Sequence, residues 1–169
     1  MIDFNKDVMP LKNRLFRLAL RIVEDRAEAE DITQETLIRL WGKCATFGSA
    51  ADAETFGLTI CRNLAIDATR RVGRNHEPLD PQSEIFAAPN GESPIETLSH
   101  ADKRNFILAK INQLPQKQRS VVQLRDIEGK SYREIAAIMS ISEEQVKINL
   151  FRARQNLKEA CKKDKDYGL

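Results

Sequence analysis

Glycine is scarce in this chain, with only 7 among 169 residues, and long β-branched runs are missing. Strong helix formers stand in their place, which predicts an all-α chain. No apolar stretch approaches the ~20 residues that a bilayer crossing needs. The N-terminus lacks a basic segment followed by an apolar one, so no secretion signal is expected and a cytoplasmic location is. Cysteine is confined to Cys44, Cys61 and Cys161, far apart and without a C-x-x-C pair. That argues against a disulfide framework or a zinc site and suits a reducing compartment. His76 and His100 are isolated as well, so neither a metal nor a cofactor is expected, and no cluster of ligands points to an enzyme.

Charge is plentiful, at 31% of residues, but unevenly spread. Residues 1–75 carry 12 Lys+Arg against 11 Asp+Glu, residues 76–100 carry five acids and no Lys or Arg, and residues 101–169 carry 15 against 9. A basic C-terminal part suits a polyanion partner, although a solvated helical surface explains charge alone at least as well. Four of the six prolines (Pro78, Pro81, Pro89, Pro94) and Gly91 fall in the acidic stretch. Proline blocks helix continuation, so the chain divides into a helical domain at 1–75, a flexible acidic linker at 76–100, a second helical domain at 101–160, and a polar tail at 161–169.

In the first domain Leu11, Leu15, Leu18, Ala19 and Ile22 mark one buried stripe. Further helices are expected at about 28–44 and 53–72. In the second domain the spacing predicts helices from about Ser99 to Leu114 and from Gln116 to Asp126, then two further short ones.

The sharpest local pattern lies at 131–157. Ser131 with Glu134, and Ser142 with Gln145, each match a capping box, and Ser140-Ile141 makes a short turn between them. Two helices joined this tightly make a helix-turn-helix, whose second helix can enter a major groove. On that helix Val146, Leu150, Ala153 and Leu157 share the buried stripe. Ile148, Phe151 and Arg152 face outward with Lys147 on the flank, where apolar groups can meet thymine methyls and arginine can meet guanine.

Residues 30–41 are expected to bury Ile32, Leu37, Leu40 and Trp41, together with Cys44, on one side. Asp31, Gln34, Glu35 and Ile38 then form one stripe on the other. That stripe suits docking to a basic partner helix, and equally suits a solvated face with one stray isoleucine. The next segment carries Phe47, Phe56, Arg62, Asn63, Asp67, Arg70 and Arg71. Arginines on phosphates, an asparagine on base edges and aromatic faces on unpaired bases suit single-stranded DNA, while core packing is the default reading of the two phenylalanines.

Taken together, these segments resemble the extracytoplasmic-function branch of the sigma-70 family over nearly the whole chain. Glu30 to Trp41 resembles region 2.2, which implies docking of Asp31, Gln34, Glu35 and Ile38 on the β′ clamp helices of core RNA polymerase. Phe56 to Arg71 resembles regions 2.3 and 2.4, which implies melting and reading of a −10 element by Phe56, Arg62, Asn63, Arg70 and Arg71. Phe47 falls in the position of the loop that pockets a flipped base. Leu114 to Arg119 and Tyr132 to Arg154 resemble region 4, which implies −35 contacts for Arg125, Lys147, Ile148, Phe151 and Arg152. The resemblance further implies contact with the β subunit, an anti-sigma factor as regulator, and a linker threading the RNA-exit path. Two positions depart from the pattern: Phe56 where the family often has Trp, and Ser140 where a turn glycine is frequent. The competing reading is an ordinary helix-turn-helix regulator with a sensing or dimerisation domain at 1–75. A metal-dependent nuclease would need clustered carboxylates or histidines that this sequence lacks.

Overall fold

The computed structural model describes residues 1–74 and 96–163, and all regular structure within them is helical. A short π-turn at Phe4–Val8 and a 3-10 turn at Met9–Leu11 lead into α1 (Lys12–Val23), α2 (Arg26–Lys43) and α3 (Ala50–Arg74). After the linker come α4 (Glu96–Asn112), α5 (Gln116–Val122), a π-turn at Gln123–Ile127, α6 (Tyr132–Met139) and α7 (Glu143–Lys163). The linker assigned to 76–100 lies outside the described residues except for its last five, which are the start of α4. The same holds for 164–169 of the tail, whose first residues instead extend α7. The second helix of the helix-turn-helix is therefore not short: it runs for 21 residues.

The first three helices form one packed unit. Leu15, Leu18, Ala19 and Ile22 of α1 are buried as their spacing predicts, against Ile32 and Leu40 of α2 and Leu58, Cys61, Ala65 and Ala68 of α3. Asp25 caps α2 by accepting from the Glu28 amide at 2.8 Å, and Glu24, left-handed at φ 57, turns the chain between α1 and α2. Gly57 lets α3 approach closely, since a Cβ there would stand 3.0 Å from Leu40 Cδ1.

Two expectations for α2 are corrected. Trp41 is 65% exposed rather than buried, and Leu37 and Cys44 are only half-buried. The buried face instead includes Thr33 and Thr36, whose hydroxyls donate to the Ala29 and Ile32 carbonyls at 2.7 and 2.8 Å. Satisfied in this way, a threonine can enter a core, so the buried face centres on Ala29, Thr36 and Leu40 and turns Trp41 outward.

In the second unit both capping boxes form with both reciprocal bonds: Ser131 with Glu134 at 2.9 and 3.1 Å, and Ser142 with Gln145 at 3.3 and 3.1 Å. Between them Ser140 ends α6 in the left-handed region at φ 54, the backbone that a glycine would adopt with less strain. Val146, Leu150 and Ala153 of α7 are buried and Leu157 is half-buried. The two units also touch: α1 packs on α5 and the Gln123–Ile127 turn, and α3 packs on α6.

Candidate nucleic-acid interface

Opposite its buried stripe, α7 presents Lys147, Ile148, Phe151 and Arg152, all exposed, with Ile148 at 47% and Phe151 at 65%. Arg125, the fifth candidate of this face, sits apart in the Gln123–Ile127 turn. Its Nη1 donates to the Lys130 carbonyl at 2.8 Å, and its guanidinium lies 4.6 Å over the Tyr132 ring. Lys147 Nζ stands 5.7 Å from the centroid of the same ring, so Tyr132 gathers two cations beside the outer face of α7. Nothing periodic links Arg125, Tyr132 and Lys147, and the sequence reading missed the tyrosine for that reason. The neighbouring Arg154 is structural: Nη2 donates to Asp126 at 2.7 Å, and that bond raises its pKa. Asn156 also ties α7 to Gln118 of α5, at 2.9 Å.

On α3 the 100° step per residue puts Phe56, Asn63, Asp67, Arg70 and Arg71 on one face. Asn63, Asp67, Arg70 and Arg71 are exposed, with Asp67 and Arg70 4.0 Å apart. Phe47, in extended backbone before α3, meets Phe56 with ring centroids 5.2 Å apart, and Lys43 Nζ lies 4.9 Å over the Phe56 ring. Both rings are half-buried against the core, so they are partly core residues and partly surface. Arg62 belongs elsewhere: it lies on the flank of the helix, half-buried, with Nε buried and unpartnered. Burial, and then the charge of Arg70, lower its pKa. Arg74 follows on the same helix, and its side chain is outside the described residues.

On α2 the stripe of Asp31, Gln34, Glu35 and Ile38 is exposed, with Glu35 accepting from Arg39 Nε at 2.8 Å. Ile38 is 65% exposed and borders a shallow apolar hollow of about 220 Å³ formed with Phe4, Leu37 and Trp41. Phe4 meets Trp41 edge-on, with centroids 4.9 Å apart. Among the described residues no group of His, Cys, Asp or Glu is placed to hold a metal ion, and no helix is long and apolar enough to cross a membrane.

Residues 8–75 match the family Sigma-70 region 2, and residues 106–157 match Sigma-70, region 4. This chain belongs to the sigma-70 family. Its relatives place it in the extracytoplasmic-function branch. The sigma factor is 35% identical over 146 residues to the ECF RNA polymerase sigma factor SigL of Mycobacterium tuberculosis, covering 85% of this chain and 80% of that one. It is 32% identical over 148 residues to ECF RNA polymerase sigma factor SigE of Mycolicibacterium smegmatis, spanning 87% of this chain but only 57% of the relative. Among solved structures it is similar to the sigma factor RpoE of Bartonella quintana in complex with the anti-sigma factor NepR. The TM-score is 0.72 and the identity 26%, over 95% of this sigma factor and 97% of RpoE.

Proposed function

We propose that this sigma factor brings core RNA polymerase to promoters, reading a −35 duplex with its second domain and opening a −10 element with its first. The observation that carries this reading is a pair of unlike cationic and partly apolar faces on one chain. The outer face of α7 offers Lys147, Ile148, Phe151 and Arg152 to a major groove. Residues 1–75, as the region 2 domain, offer Phe47, Phe56 and Asn63 to unpaired bases, with Arg70 and Arg71 on the backbone and Arg62 supporting from the flank. The acidic stripe of α2 docks on the polymerase clamp helices, and Trp41, Phe4 and Ile38 add an apolar contact. Arg125 serves the −35 face through Tyr132 and Lys147, acting as a positioning residue. The chain itself does no covalent chemistry, works in the cytoplasm and, like RpoE with NepR, is held by an anti-sigma partner.

Capturing an extruded base offsets an unstacking cost of a few kcal/mol. Asn63→Ala should therefore impair opening of a duplex promoter far more than transcription from a template whose −10 region is already melted. Permanganate footprinting of unpaired thymines on the two templates is the measurement. Equal defects on both would remove Asn63 from base capture, and no opening by the parent protein would overturn the melting role proposed for the first domain.

A further inference from the structure

Lys43 is the last residue of α2, and the Cys44–Thr46 turn that follows it delivers Phe47. Thr46 fixes that turn by donating from Oγ1 to the Lys43 carbonyl at 2.7 Å. The lysine is exposed, and among the described residues it makes no ion pair. Its ammonium instead lies over the Phe56 ring, 4.9 Å from the centroid. Phe47 flanks the same ring at 5.2 Å, tilted by 56°, and Phe56 packs on the core with what remains. The ring face that Phe56 offers is thus covered by a cation.

A phenylalanine face is a single six-membered ring, so an ammonium over it leaves no room for a stacked base. The attraction that holds the ammonium there is electrostatic and, at an exposed position, weak. An unpaired strand brings a phosphate with every base, and a phosphate is the stronger partner for a cation. The four-carbon stem of lysine lets the ammonium swing from one to the other while α2 stays in place. On α3 the exposed cations stand at the far end of the outer face. Arg70 is about 21 Å along the axis from Phe56, at ~1.5 Å per residue. The aromatic end of that face therefore takes its charge from α2.

We propose that Lys43 is a further DNA-binding residue of the single-strand site, working by exchange. It covers the Phe56 face in the free sigma factor. When an unpaired base takes that face, the ammonium passes to the phosphate of the incoming nucleotide. The inference rests on the reading of the first domain as the one that opens a −10 element. A lysine at the C-terminal end of a helix also favours the helix dipole. That role alone would affect stability and leave the salt dependence of DNA binding untouched.

The test uses the full chain on core polymerase and short single strands that this complex enriches from a randomised pool. Fluorescence anisotropy then follows their binding across a salt series. A lost phosphate contact on a single strand lowers the slope of log affinity against log salt by about 0.7. Lys43→Ala should therefore bind about fivefold more weakly than the parent near ~50 mM salt, and draw level with it or pass it near ~0.5 M, where the uncovered ring remains. Lys43→Arg should keep the slope of the parent. Lys12→Ala, which removes the same charge from α1, should keep it too. A Lys43→Ala line parallel to that of the parent would overturn the proposal, whatever its offset. Phe56→Leu fills the core without offering a ring, and should weaken binding at every salt concentration. If it does so while Lys43→Ala runs parallel, the exchange fails and the −10 reading stands. If the parent enriches no strand, that reading falls and takes the exchange with it.

Discussion

Arg152 and Arg154 stand two residues apart on α7 and play different parts. Arg154 is committed to Asp126, while Arg152 is exposed with no partner among the described residues. A guanidinium of that kind can make a bidentate contact to guanine. Arg152→Ala should accordingly weaken binding to a cognate −35 duplex by about 1–3 kcal/mol and leave binding to random duplex nearly unchanged. Fluorescence anisotropy on the two duplexes distinguishes the outcomes, and equal losses would reassign Arg152 to phosphate. The outer face of α7 was legible in the sequence because its buried residues repeat at helical spacing. Arg62 was not, since composition groups it with Arg70 and Arg71 whereas the helix turns it onto the flank, where its Nε is buried. Residue type alone carries no rotation about a helix axis.

Helix α2 illustrates the same limit at the scale of an element. Reading apolar residues as buried and polar ones as exposed sends Trp41 inward, because two threonines interrupt the true core face. Their hydroxyls are satisfied within the helix, at the carbonyls four residues back, so burial costs them little. The acidic stripe survives this rotation unchanged and gains Trp41 and Phe4 at its edge. Charge reversal at both positions, Asp31→Lys with Glu35→Lys, should weaken binding to core polymerase at least tenfold while the chain stays helical. Competition against the parent for core polymerase measures it, and undiminished binding would remove the stripe from the docking surface. Helix ends were read well where a capping box marked them, at Ser131 and Ser142, and less well at the end of α7, where no glycine or proline stops the helix before Lys163.

At the scale of the whole molecule, the sequence yields two helical units but nothing about how they meet. Arg17 and Glu128 are 111 residues apart, and no local pattern marks either as a partner of the other. The pairing has a pH signature. Burial pushes the Glu54 carboxyl up, but hydrogen bonds from Lys130 and Arg14, with the charges of both, outweigh it and leave the group below its ordinary value of 4.5. The part of that depression that Lys130 supplies from the second unit favours the contact between the units above the ordinary carboxylate pKa, and is lost as pH falls through the depressed value. Lys130 and Arg14 are the cations that face Glu54. Acidification from pH 6 to below about 4 should therefore expand the parent, and Glu54→Gln should flatten that response. Small-angle X-ray scattering across the range, with circular dichroism to separate loss of the contact between the units from unfolding, checks it.

Because residues 75–95 keep the domains on one chain, they encounter each other at an effective concentration on the order of 1 mM. A face that would bind with a dissociation constant of only about 0.1 mM between separate molecules then holds the free chain closed roughly ten to one. Any partner that needs the open form sees its apparent affinity reduced by about the same factor of ten. Any partner that grips the closed form meets a binding site already assembled. Ion pairs too weak to be noticed between two proteins can thus hold two units of one chain in contact.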